Sequence, residues 1–131
     1  MTDQDFRDII AKGWFEKAED AYGTAEVLLR ERRLIACVNR MYYAAFYAVS
    51  AILAKRGNEY GRHTAVRASL HRDFVKAGIV PKECGRTFDE LFDDRQKGDY
   101  TPKTSFSEEE VFRLLKATRS FLDCFKSLLD A

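Results

Sequence analysis

Three places in this sequence put polar side chains where an apolar helical stripe should run. The first is DDRQKGDYTPK, residues 93–103. Phe88, Leu91, Phe92, Arg95 and Asp99 fall at i, i+3, i+4, i+7 and i+11 and so share one helix face. Arg95 and Asp99, spaced i,i+4, can pair. Gly98 weakens the helix, and Pro102 keeps Thr101 out of helical geometry. Asp99 and Tyr100 are therefore expected at a helix end, where side chains can face a groove. A guanidinium offers forked donors to phosphate, and a tyrosine offers a stacking face to a base. The plainer reading is a helix-terminal ion pair with a tyrosine at the bundle edge.

The second place is VNRMYYAAFYAV, residues 38–49. Asn39, Tyr42, Tyr43 and Phe46 fall at i, i+3, i+4 and i+7, while Arg40 and Tyr47 lie on the next face. An aromatic stripe of this kind is usually core. Buried tyrosine hydroxyls need partners, though, and Asn39 or Arg40 could supply them. The functional version is a ligand pocket that includes Asn39, Arg40 and Tyr43. The third place is GRHTAVRASLHRDF, residues 61–74. His63 and His71 are eight apart, which is not metal-ligand spacing on a helix. His63 sits near a helix start, as a capping residue or as a ligand-binding group. As an acid or base it would need a partner within hydrogen-bond reach.

The elements that must carry these residues are helices. The chain has 131 residues, with two prolines and seven glycines. One domain, residues 1–131, is expected, and a chain so poor in breakers favours long helices. Helix one is expected from Gln4 to Arg32, with Trp14, Ala18, Ala21, Ala25 and Leu28 as a narrow seam. Helix two, Leu34 to Arg56, is apolar nearly all round and should be central. Helix three spans His63 to Ala77, and helix four Lys82 to Lys97. Helix five starts at a capping box of Ser107 and Glu110, with Phe106 and Val111 as its hydrophobic staple. Its stripe of Val111, Leu114, Leu115, Thr118, Phe121, Leu122 and Phe125 keeps helical period. The fold class is all-α, an antiparallel four-to-five-helix up-down bundle.

Composition excludes several function classes. Cys37, Cys84 and Cys124 are odd in number and form no CxxC, so neither a disulfide framework nor a zinc site is signalled. No metal and no cofactor is expected, and a reducing cytoplasm is the simplest home. The N-terminus has no long apolar core and is not read as a secretory signal. The apolar run Met41–Ala54 is fourteen residues, short of the ~20 that span a bilayer. Net charge is +1, but its distribution is uneven. Segments 33–56 and 61–76 are basic, and segment 83–94 is rich in acids. A basic face could meet phosphates, although charge runs are usually solvated faces. Phosphate-loop, dinucleotide, zincin and serine-hydrolase motifs are absent.

The sequence resembles the HEPN (higher eukaryotes and prokaryotes nucleotide-binding) domain family, in its small stand-alone prokaryotic branch. The resemblance spans nearly the whole chain. It rests on AEDAYGTAEVLL at 18–29, NRMYYAAFYAVSAILAKRG at 39–57, His63 with FVKAG at 74–78, and RQKGDY at 95–100. It implies a helical bundle that dimerises, with polar residues of a late helix facing a cleft. Many such domains are metal-independent RNA endonucleases, marked by an arginine followed four to six residues later by a histidine. Others bind nucleotides or RNA without cleavage. The small members are often paired with a minimal nucleotidyltransferase, as toxin and antitoxin, and in some pairs a tyrosine near the motif is modified.

Arg95 matches the motif arginine. The histidine does not carry over: Asp99 or Tyr100 takes its place, and no histidine follows Arg95. The resemblance thus makes Arg95 and Asp99 the candidate catalytic residues, Arg95 and Tyr100 ligand-binding positions, and Tyr100 the candidate for modification. The expected function is a nucleotide- or RNA-binding module that homodimerises and acts with a minimal nucleotidyltransferase. The alternatives are a ribonuclease toxin, with Asp99 or His63 moving the proton, and a purely structural interaction domain.

Overall fold

The computed structural model describes residues 1–59 and 61–131. Five helices follow one another: α1 (Asp3–Arg30), α2 (Leu34–Lys55), α3 (His63–Ser69), α4 (Lys82–Tyr100) and α5 (Glu108–Asp130). The chain leaves α3 through a wider π-helical turn, Leu70–Val75. No strand occurs among the described residues, and the expected all-α bundle is what forms.

α2 packs against each of the other four helices, most extensively against α1. Its composition explains the position. Thirteen of its residues are buried, among them Tyr42, Val49 and Ile52, and between its two ends only a stripe through Asn39, Arg40, Tyr43, Tyr47 and Ser50 stays partly open to water. The connection from α1 to α2 takes only residues 31–33, and a link that short turns the second helix back along the first. Ala18, Ala21 and Ala25 of the expected seam are buried, while Trp14 and Leu28 are only partly so. Small residues there let the two backbones approach, and Phe15 and Tyr22 fill the flanks.

Helix ends follow the local chemistry, with several departures from expectation. α1 begins one residue earlier than expected, at a capping box that sequence inspection overlooked. Thr2 Oγ1 accepts from the Asp5 N–H at 3.1 Å, and Asp5 Oδ2 accepts from the Thr2 N–H at 2.8 Å. At α5 only half of the expected box forms: the Glu110 N–H donates to Ser107 Oγ. Helix three is not a regular helix to Ala77, because the π turn intervenes while keeping Leu70 and Phe74 buried.

α4 runs three residues further than Lys97, through Gly98 to Tyr100. Gly98 is a packing residue here rather than a breaker. A Cβ at this position would stand 3.1 Å from Ile35 Cγ2, so its absence lets the last turn of α4 close on α2. Thr101 then takes extended geometry, φ −119° and ψ 107°, as the residue before Pro102 must.

Candidate functional site

α2, α3 and α4 bring most of the singled-out residues together. Arg95 is the centre. Its side chain is 13% exposed, and its guanidinium lies 5.2 Å from the ring of Tyr42, 5.4 Å from Tyr43 and 6.0 Å from Tyr100. Arg95 Nε donates to Asp99 Oδ2 at 3.1 Å, and Nη2 donates to the Tyr43 hydroxyl at 3.3 Å. Asn39 Nδ2 donates to the same carboxylate, at 3.2 and 3.4 Å. Arg40 in turn donates twice to Asn39 Oδ1 and lies over the Tyr43 ring, 5.0 Å away. The result is a chain from Arg40 through Asn39 and Asp99 to Arg95. Nη1 of Arg95 makes no hydrogen bond among the described residues. A cation held by its Nε edge, with an aromatic surround and one amino group spare, is preorganised to receive an anion.

His63 enters the same cluster from the first turn of α3. Its Nδ1 is 2.6 Å from the Tyr42 hydroxyl. Its ring stacks on Phe46 at 4.3 Å and on Tyr42 at 5.6 Å, and meets Tyr43 edge-on at 5.6 Å. This corrects the expected partners of the buried tyrosines. Asn39 and Arg40 do not serve them; His63 holds Tyr42 and Arg95 holds Tyr43. Tyr42 itself, wholly buried, is a site residue that sequence reasoning missed, since its aromatic stripe reads as core. The signal was its spacing from Asn39 together with a hydroxyl that had to be satisfied. Tyr100 sits at the rim, 72% exposed.

Electrostatics fix the state of this pair. Burial pushes the Tyr42 hydroxyl above the ordinary tyrosine range, so it keeps its proton at neutral pH. Burial, and then the charge of Arg95, hold His63 below the usual histidine range. Folding therefore favours the neutral imidazole. That stability is fully present above the unfolded value and is lost as pH falls through the folded one. An NMR titration of the His63 ring is expected to give a midpoint below about 6.5; a midpoint at or above it would contradict this arrangement.

A second polar cluster adjoins the first. Asp89 Oδ1 receives Arg67 Nε and pairs with His71 Nε2, both at 2.8 Å. Arg67 also lies over Phe92, 4.4 Å from its ring. Gly85 makes room for His71, because a Cβ there would come 2.9 Å from His71 Cε1 and 3.3 Å from Val75 Cγ2. Helix propensity alone would make Gly85→Ala stabilising by about 1 kcal/mol. The contact reverses the sign: chemical denaturation is expected to show a loss of roughly 1 kcal/mol as His71 leaves Asp89. Among the described residues no group of three or more His, Cys, Asp and Glu side chains could hold a metal ion. No helix among them is long and apolar enough to cross a membrane.

The chain is similar to known proteins over most of its length. A model of the HEPN domain matches residues 11–128. A "UPF0332 protein" of Thermotoga maritima is 38% identical over 121 residues, 92% of each chain. Two proteins of Methanocaldococcus jannaschii, each named "Putative toxin", are also similar. One is 29% identical over 114 residues, 87% of this chain and 78% of its own. The other is 27% identical over 129 residues, 98% of this chain and 95% of its own.

Proposed function

The chain belongs to the HEPN domain family, and we propose that it is a nucleotide- or RNA-binding module whose ligand phosphate docks on Arg95. The observation that carries this reading is the preorganised guanidinium. Arg95 is largely buried, clamped on its Nε side by Asp99 and Tyr43, and ringed by tyrosines, while Nη1 remains spare. An arginine needed only for stability would be expected to satisfy more of its donors. In this reading Asp99 positions Arg95 and Asn39 positions Asp99. Arg40 and His63 flank the phosphate, and the exposed ring of Tyr100 offers a stacking surface for a base.

The toxin names of two relatives favour a place in a toxin–antitoxin pair in the cytoplasm, with a minimal nucleotidyltransferase as partner and Tyr100 as the exposed residue it could modify. Homodimerisation belongs to the same proposal. Calorimetry with nucleoside phosphates and with short single-stranded RNA tests the ligand. Co-purification with a neighbouring transferase tests the partner. A chain that binds neither ligand and retains no partner would defeat the reading.

A second reading, a metal-independent ribonuclease, is favoured by one observation. His63 comes from α3 to the Arg95 cluster, where it could serve in place of the histidine that does not follow Arg95. Arg95 would then stabilise the charge of the phosphorane while neutral His63 takes the 2′-hydroxyl proton. RNA left intact by the purified protein, with unimpaired growth on expression, rejects that chemistry and leaves binding.

A further inference from the structure

Arg67 repeats, on the neighbouring helix, the arrangement that holds Arg95. His63 and Arg67 are spaced i,i+4 on α3, so the face that brings His63 to the Arg95 cluster also carries Arg67. On α4, Asp89, Phe92, Arg95 and Asp99 fall along one side. Arg67 reaches across to this line. Its Nε donates to Asp89 Oδ1 at 2.8 Å, and its guanidinium lies 4.4 Å from the Phe92 ring. Arg95 is held in the same way, by Asp99 at its Nε and over the Tyr42 ring. The rings of Tyr42 and Phe92 meet edge to face, 5.9 Å apart, so the two seats adjoin. Burial raises the Tyr42 hydroxyl, and the charges of Arg95 and Arg67 both act against that rise; both fields reach the one hydroxyl.

The mode of pairing sets these arginines apart from those of α5. Arg113 and Arg119 meet Glu90 and Glu19 end-on, through both terminal nitrogens, which spends the fork on the carboxylate. Arg67 gives Asp89 only its Nε edge, and neither Nη makes a hydrogen bond among the described residues. His71 Nε2 holds the same Asp89 oxygen at 2.8 Å. The Arg67 side chain is 32% exposed, so a ligand can reach the unused fork. A guanidinium fixed on one edge, with its fork turned outward, fits an incoming phosphate.

We propose that Arg67 is a second phosphate seat beside Arg95, and that the ligand is a single RNA strand with successive phosphates on the two arginines. The inference rests on the reading that Arg95 binds phosphate. Each guanidinium has its own carboxylate and its own ring, so the two seats are separate. Their anchors, Asp89 and Asp99, lie about 15 Å apart along α4; Arg67 is drawn to the earlier one and Arg95 to the later. Phosphates that share a bridging oxygen, as in a nucleoside diphosphate, sit too close together to use both. Phosphates separated by a sugar suit the spacing. In this arrangement Asp89 is the positioning residue of Arg67, as Asp99 is of Arg95.

The test titrates the full chain with uridine 5′-monophosphate, uridine 5′-diphosphate and a 5′-phosphorylated uridine hexamer, each over a range of salt. The hexamer should bind most tightly and show the steepest salt dependence. Arg67→Gln keeps a stem over Phe92 and a donor for Asp89 but removes the charge. It should weaken hexamer binding by roughly 10-fold or more and flatten the slope of log K against log salt by about 0.7, the value of one phosphate contact on a single strand. Binding of the mono- and diphosphate should not change. Arg67→Lys keeps the charge and loses the fork, so its slope should stay while its hexamer affinity falls. Arg113→Gln removes a cation from the α5 side and should leave every titration as it was. A purely structural Arg67 would shift the melting temperature without moving the salt slope. Hexamer affinity and slope unchanged in Arg67→Gln, or hexamer affinity unchanged in Arg67→Lys, would overturn the second seat alone, provided Arg95→Ala still abolishes binding. A diphosphate that loses as much as the hexamer would put both arginines on one small ligand and overturn the strand. A parent that binds none of the three probes would overturn the Arg95 reading and this inference with it.

Discussion

Arg95→Ala is expected to remove ligand binding while leaving the bundle folded. A phosphate on the guanidinium would receive charge-assisted hydrogen bonds, each worth about 1.5–3 kcal/mol. Losing two of them weakens affinity by roughly 100-fold or more. The cost to folding is smaller. The Arg95–Asp99 pair joins neighbouring turns at the edge of the bundle and is partly exposed, so about 1–2 kcal/mol is expected from its loss together with the tyrosine contacts. Asn39 continues to donate to Asp99, which keeps that carboxylate partnered. Arg95→Lys separates charge from shape. It keeps the cation and loses the fork, so binding should fall to an intermediate level. Calorimetry reads the affinity, and circular dichroism melting reads the fold. An alanine variant that binds within a few-fold of the parent, or one that fails to fold, removes Arg95 from the role assigned to it. The latter result would favour the structural reading.

The pairing of Arg95 with Asp99 was legible in the sequence because it is local. Their i,i+4 spacing on the stripe of Phe88 and Leu91 places them on one face of one helix, and the structure confirms the contact. The stripe of α5 and the all-round apolarity of α2 were legible for the same reason, since helical period depends only on neighbours. What could not be read was the direction of long-range approach. His63 follows a connection of seven residues after α2, and nothing in that connection says on which side the next helix returns. Tyr42 therefore carried no assigned role, and His63 stood open between a capping residue and a ligand-binding group, until their 2.6 Å contact joined them. Gly98 was misread for a related reason: its local effect is to weaken a helix, whereas its tertiary effect is to admit Ile35. The π turn after Ser69 likewise depends on packing between helices.

Those tertiary contacts make the site dependent on the core beneath it. Arg95 rests on Tyr42, and Tyr42 rests on Phe88 and Phe92, at ring distances of 5.6 and 5.9 Å. Phe88 reaches on to Phe121 of α5 at 6.2 Å, and Phe121 stacks on Phe125 at 4.7 Å. One aromatic column thus runs from α5 through α4 to the site on α2. A polar cluster placed on such a column inherits its precision from close packing, because a buried ring cannot shift without opening a void.

Phe88→Ala is the strongest test of that dependence. Phe88 is fully buried where α2, α4 and α5 meet, and deleting its ring should cost about 3–5 kcal/mol. Domains of this size are stable by about 5–15 kcal/mol in all, so the variant should lose a large share of its stability and melt roughly 10–15 °C lower. Phe88→Leu refills most of the volume and should cost less than about 2 kcal/mol. The comparison also separates packing from chemistry. Phe88 touches no ligand in the proposed reading, so Phe88→Leu should keep near-parental affinity. Phe88→Ala, measured well below its melting point, should bind more weakly because Tyr42 loses one wall and Arg95 loses its rigid seat. Thermal melting and calorimetry on the two variants read both effects. An alanine variant that melts within about 3 °C of the parent, a loss near 1 kcal/mol, would mean that Phe88 is not the junction of these helices. A destabilised variant with unchanged affinity would mean that the Arg95 cluster is held by its own hydrogen bonds rather than by the column below it.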